Sequence, residues 1–381
     1  MDRRAFLASA CSAAAWPLVT PVVLAAAPGD RRLVVIVLRG GLDGIGMVQP
    51  FGDPGLRRLR PTLAARPDDG LNDLDGFHGL ADPFSGLRQM WDAGDLGFIT
   101  AVSTPYRGKR SHFDGQDFLE NGGGRSDGRM TASRDGWLNR ALGLIPGARA
   151  ETAMAVGQEH LLILDGDAAV SAWSPRNALD LADDERRLLT HLYQDDSLFA
   201  AALAGAERFS GNAATKRETG ATLAQFAAER LNGEARIAAF SLGGWDTHRR
   251  QAKAITRPAR ALTNAIVALR DGLGRNWETT AVLAVTEFGR TARENGSGGT
   301  DHGTGGVAIV AGGAVRGGLV HGRWPGLGEG HLYEDRDLMP TDDLRRWAGW
   351  LLAGQFGLDR SSLEKTVFPG VELAADPGIL R

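Results

Sequence analysis

The chain has 381 residues, a formal net charge of −3 and a single cysteine. That length accommodates one large α/β domain or two small ones. The near-balanced charge, with no polybasic run, gives no support to nucleic-acid binding.

The first residues read as an export signal. Arg3 and Arg4 precede an uncharged stretch that runs through Leu18 and Val19 to Leu24 and ends in Ala25-Ala26-Ala27. This is the three-part layout of a secretory signal, and the arginine pair resembles the twin-arginine class. A signal over 1–27, a mature domain over 28–381 and a periplasmic location are therefore expected, with the twin-arginine translocase as a transient partner. Pro17, Pro21 and the many alanines argue against an uncleaved anchor, since a span needs about 20 strongly apolar residues. No stable membrane span is expected after cleavage. Cys11 lies inside the signal, so cleavage removes disulfides, thiolate metal sites and cysteine nucleophiles from consideration.

Leu33 to Leu38 is a continuous, β-branched-rich run closed by Arg39-Gly40-Gly41, which predicts a strand buried on both faces of a parallel sheet. Ser85 to Ala93 reads as helical and leads into a second strand, Leu96 to Val102. The section from 126 to 232, rich in Ala, Leu, Asp and Arg, predicts a mostly helical insertion or cap. Later strands are expected over Ala235 to Leu242, Thr280 to Thr286 and Val307 to Val310. Helical patterns cover Leu223 to Leu231, Arg257 to Leu273 and Thr341 to Gly357. Strands alternating with helices predict a doubly wound, mostly parallel sheet with helices on both faces.

Ligands of such sheets bind beyond the carboxyl ends of the strands. Polar residues gather there: Arg39 and Asp43 after the first strand, Lys109, Arg110 and Ser111 after the second, Asp246 and His248 after the third. Glu287, Asp301 and His302 follow the fourth. Each has a plainer use when taken alone. Aspartates after glycine pairs cap turns, Glu287 can pair with Arg290, and Ser111 can cap a helix. Their conjunction at successive strand ends favours a functional cluster. Carboxylate oxygen and imidazole nitrogen without sulfur suit a divalent ion: zinc, manganese, magnesium or calcium.

The segments RGGLDG, SHFDGQDFLENG, GGWDTH, TEFGR and ENGSGGTDHGTGG, followed by HGRWPGL, closely resemble the bacterial family called domain of unknown function 1501. That family is similar to a distant branch of the alkaline phosphatase and sulfatase superfamily. The resemblance implies an alkaline-phosphatase-like sheet with paired metals and a nucleophile at a helix start. Carried over, it makes Ser111 the nucleophile and Arg39, Lys109 or Arg110 the holders of the anionic group. It places Asp43 and Glu287 on one metal, and Asp246, His248 and His302 on the other, with Asp301 beside them. Phe288 departs from the pattern, because an Asp-His pair is usual where Glu287-Phe288 stands. The pattern Ser103-Thr104-Pro105-Tyr106-Arg107 fits the short sulfatase maturation motif, but Ser111 matches the nucleophile's distance to the following helix leucine far better.

The function implied is a metal-dependent hydrolase of a phosphate or sulfate ester, on a small anionic molecule or a polysaccharide. The alternative is a non-catalytic periplasmic binding or assembly protein with at most one structural metal.

Overall fold

The computed structural model describes residues 29–126, 129–131, 133–173, 187–188, 191 and 218–381. The expected signal, 1–27, lies outside the described residues, as does much of the expected insertion.

Among the described residues, nine strands form the central sheet. In chain order they are β1 (Arg32–Leu38), β2 (Leu96–Ser103), β3 (Ala153–Val156), β4 (Ser171–Trp173) and β5 (Ile237–Leu242). Then come β6 (Thr280–Thr286), β7 (Gly306–Ala311), β8 (Val320–His321) and β9 (Asp342–Asp343). Across the sheet the order is β8-β2-β7-β6-β1-β5-β3-β4, and β9 also pairs with β2. β1 is parallel to both neighbours, with Val35 opposite Ala239 on β5 and Leu283 on β6.

Five helices cover the sheet or border its polar end: α1 (His112–Asn121), α2 (Trp137–Leu144), α3 (Gly220–Leu231), α4 (Thr256–Leu273) and α5 (Leu344–Phe356). Alternate residues of β1 serve opposite cores. Val34, Ile36 and Leu38 meet the buried faces of α3 and α4, including Leu223, Leu262, Ile266 and Leu269. Leu33, Val35 and Val37 join Leu138 and Leu142 of α2 and Trp347, Leu351 and Leu352 of α5. Both faces being covered explains why β1 is an unbroken apolar run. Each of its large side chains contributes about 1.5–3 kcal/mol by leaving water.

One feature differs from the expectations. β3 and β4 lie in the region expected to be a helical cap, yet they extend the main sheet, β3 parallel to β5 and β4 parallel to β3. Ala-Met-Ala-Val and Ser-Ala-Trp are short and poor in β-branched residues, so they give no strand signal in sequence. β7 runs antiparallel to both β6 and β2. The chain leaving β6 at its carboxyl end therefore re-enters the sheet from that same end. This keeps the whole 287–305 loop beside the ends of β1 and β5, and it carries Glu287, Arg290, Asp301 and His302.

Candidate metal centre

Close backbone approaches assemble the loops. Gly40, at the exit of β1, has φ +118°, and a Cβ there would lie 2.7 Å from the Asp246 amide nitrogen. Only glycine permits that approach together with that φ. Arg290 is fully buried and ties the exits together. It donates to the Gly41 carbonyl at 2.7 Å, the Trp245 carbonyl at 3.0 Å and Asp246 Oδ1 at 2.7 Å.

Three half-buried imidazoles meet above these exits, and in each the Nδ1 atom faces an acceptor. His112 Nδ1 is 2.7 Å from Glu287 Oε1, His248 Nδ1 is 3.1 Å from Asp301 Oδ1, and His302 Nδ1 is 2.8 Å from the Arg110 carbonyl. A carbonyl oxygen can only accept, so His302 carries its proton on Nδ1. The two carboxylates favour a proton on the facing Nδ1 of their partners, while Asp246 accepts a hydrogen bond from His248 Nε2 when no metal ion is bound. With the protons on Nδ1, the three Nε2 atoms are available as ligands. His248 Nε2 and His302 Nε2 stand 2.9 Å apart, and Asp246 Oδ1 lies 2.9 Å from the first and 3.2 Å from the second. His112 Nε2 is 3.6 Å from Asp246 Oδ2 and is buried with no hydrogen-bond partner. His112, Asp246 and His302 each offer a ligand atom within 4.8 Å of the others, and His248 Nε2 lies against the His302 and Asp246 members of that triad.

This arrangement fits a cation. Two imidazole nitrogens 2.9 Å apart are held together by a shared proton or by a metal ion that both ligate, and a buried nitrogen without a partner carries a desolvation cost that a ligated ion removes. Imidazole nitrogens whose other ring N–H is held by carboxylate or carbonyl are the usual form of metal-binding histidine.

The surroundings maintain the charges this requires. Burial opposes ionisation of Asp246, but the hydrogen bond and charge of Arg290 outweigh it and hold the carboxyl below its usual range. Burial of Glu287 is likewise outweighed by His112, the Gly40 amide and Gln116, which keep it ionised. Burial lowers the pKa of His302, favouring the neutral ring, whereas the Glu287 hydrogen bond raises that of His112, so metal must displace a proton there.

Of the residues singled out from sequence, the structure brings Asp246, His248 and His302 together. Glu287 and Asp301 stand behind imidazoles, holding rings rather than facing the centre. Asp43 is elsewhere: its oxygens accept from Arg60 at 2.6 and 3.0 Å, and Oδ2 also accepts from Gln251. Both partners of this ion pair are almost fully buried, which leaves Asp43 with the work of neutralising Arg60. Asp43→Ala is expected to cost about 3–5 kcal/mol in urea unfolding, because Arg60 would be buried without a counter-charge. A loss under about 1 kcal/mol would contradict that role.

Arg39 and Arg110 were expected to hold an anionic group, and both already have carboxylate partners. Arg39 spans Glu120 at 2.8 Å and Glu159 at 3.0 Å. Arg110 spans Glu334 at 2.6 Å and the fully buried Asp337 at 2.9 Å. Arg110 acts on the centre through its backbone instead, by fixing His302. Lys109 is exposed and lies 3.6 Å from Asp114. Ser111 precedes α1 in the capping position, its amide donating to the Tyr106 hydroxyl at 2.9 Å, but its side chain makes no capping bond. Ser103 ends β2 and is buried.

His112 is the site residue that sequence reasoning passed over. It follows Ser111 directly, within SHFDGQDFLENG, where the resemblance gives the role to the serine. The signal was Phe288, where the resemblance calls for a histidine. The His112 ring packs on Phe288 with centroids 5.1 Å apart and bonds to Glu287, so α1 supplies an imidazole that the strand end lacks.

A family model described as "Protein of unknown function (DUF1501)" matches residues 99–367. No match is found among curated proteins. Similar solved structures include a protein in the alkaline phosphatase superfamily from Vibrio parahaemolyticus, 12% identical with a TM-score of 0.40. That match covers 77% of this chain and 63% of the other, so the chain spans less than two thirds of that protein. The zinc complex of the C-terminal periplasmic domain of EcEptC from Escherichia coli is 9% identical with a TM-score of 0.42, covering 93% of each chain. The PsFucS1 sulfatase from Pseudoalteromonas sp. is 13% identical with a TM-score of 0.39, covering 92% of this chain and 73% of that one.

Proposed function

The chain belongs to the DUF1501 family, whose matched span holds every residue of the histidine centre, and we propose that it is an exported, metal-dependent hydrolase of phosphate or sulfate esters with Ser111 as nucleophile. The observation that carries this reading is the convergence of three Nε2 atoms and the Asp246 carboxylate, with each Nδ1 held from behind. His112, Asp246, His248 and His302 are the proposed ligands. Three nitrogens and one carboxylate favour zinc over manganese, magnesium and calcium, which prefer oxygen. A divalent ion bound there supplies Lewis acidity, lowering the pKa of a nearby hydroxyl and polarising the ester.

The chain's own residues do the rest. Glu287, Asp301 and the Arg110 carbonyl fix the three rings, and Arg290 keeps Asp246 anionic. Ser111 stands at the start of α1, where the helix dipole favours an anionic group, and its hydroxyl is not committed to capping.

A second reading, a non-catalytic binding or assembly protein, is favoured by one set of contacts. Asp43 is committed to Arg60, and both Arg39 and Arg110 are matched by acids, so the second metal implied by the resemblance lacks Asp43 and the anion clamp is left with the exposed Lys109. A screen of aryl phosphates and sulfates separates the two. The hydrolase reading expects turnover that chelation removes and added zinc restores. Bound metal without turnover on either ester class would leave the binding reading.

Export through the twin-arginine pathway to the periplasm is part of the proposal. No helix among the described residues is long and apolar enough to cross a membrane. Arg3→Lys with Arg4→Lys is expected to retain the precursor in the cytoplasm, read by fractionation. Normal export of that variant would contradict the assignment.

A further inference from the structure

The guanidinium groups of Arg39, Arg110 and Arg290, in and beside the histidine centre, are already neutralised. Glu120 and Glu159 match Arg39, Glu334 and Asp337 match Arg110, and Asp246 matches Arg290. Unmatched positive charge lies further out, in a groove of about 960 Å³ beside the end of β5. The groove joins the centre at two places. Its floor includes Gly243 and Gly244, which lead directly to Trp245 and Asp246. Its rim includes Glu159, which bonds to Arg39, and Arg39 bonds through Gln116 to the Glu287 that orients His112.

One wall is the outer face of α4, where Arg257 and Arg260 both line the groove. Three residues apart, they share one face of the helix. Both are exposed, and neither has a hydrogen-bond or ion-pair partner among the described residues. The acids of the groove do not cancel them. Glu159 is matched by Arg39, and Glu218, which accepts the neutral Gln158 amide at 3.3 Å, offsets at most one of the two, so the groove keeps a net positive charge. A volume of this size holds several rings of a chain molecule.

We propose that this groove is an anionic subsite, in which Arg257 and Arg260 hold a second sulfate or phosphate of an extended, multiply charged ester. The substrate is then a polyanionic chain rather than a small monoester. Its role in turnover rests on the hydrolase reading, whereas binding in the groove does not.

The probe is a short sulfated dextran, with neutral dextran of equal length as control, titrated calorimetrically at two salt concentrations. The unaltered protein is expected to bind the sulfated chain only, and more weakly as salt rises. Arg257→Ser with Arg260→Ser is expected to weaken that binding at least tenfold. Arg270→Ser with Arg275→Ser, the same charge change at the last turn of α4 and in the turn that follows it, is expected to leave it within twofold. His302→Ala is expected to retain it, so failure of the metal reading and failure of the subsite are separable. No binding by the unaltered protein, equal weakening by both arginine pairs, or loss of binding in His302→Ala would each overturn the subsite.

Discussion

His302→Ala is expected to weaken divalent-metal binding roughly a hundredfold, measured by competition with a chromophoric chelator. Structural zinc sites with four ligands bind with about 10–16 kcal/mol, so one ligand accounts for about 3 kcal/mol. That is roughly two factors of ten in affinity. The substitution also strips the Arg110 carbonyl of its partner, so unfolding must be measured on the same samples. Asp301→Asn supplies the contrast. Its amide oxygen still accepts from His248 Nδ1 but without the charge, and an outer partner of this kind alters affinity by about tenfold. The expected order is therefore His302→Ala far below Asp301→Asn, with Asp301→Asn below the unaltered protein. A His302→Ala variant that binds metal normally would remove this histidine from the ligand set.

Ser111→Ala is expected to keep the fold and the metal while lowering ester hydrolysis by at least roughly a thousandfold, since loss of a nucleophile closes the covalent route. A capping serine changed to alanine would cost about 1 kcal/mol and leave chemistry largely intact. Because the Ser111 side chain makes no capping bond, even that loss is expected to be small. Ser111→Thr is expected to keep part of the rate, as threonine offers a hydroxyl at the same place. If Ser111→Ala hydrolyses as fast as the unaltered protein on the same substrate, the attacking oxygen comes from elsewhere.

The strands that carry the site were legible because they are buried on both faces. β1, β5 and β6 must be continuous apolar runs, and each ends in glycine or in the polar residues of the site. β3 and β4 were not legible, being short and rich in alanine at one side of the sheet. The direction of β7 left no trace either, because a buried antiparallel strand has the same composition as a parallel one. Yet that direction is what delivers His302 to Asp246.

Within the site, Asp246, His248 and His302 were readable from their place after strand ends. The roles of the other carboxylates were not, because a role depends on partners distant in sequence. Asp43 is committed by Arg60, which a different turn of chain brings beside it. Glu287 is committed by His112, 175 residues earlier. Nothing local separates a carboxylate that ligates from one that orients a ring or neutralises a buried arginine. His112 was hidden for the related reason that a helix start, rather than a strand end, presents it.

The most direct test is X-ray absorption spectroscopy of the purified protein loaded with one equivalent of zinc. The expected first shell contains three imidazole nitrogens and oxygen from Asp246, and His112→Ala should reduce the imidazole count to two. A shell of oxygen alone, an imidazole count unchanged by His112→Ala, or failure to retain zinc would contradict a metal centre built on these three histidines.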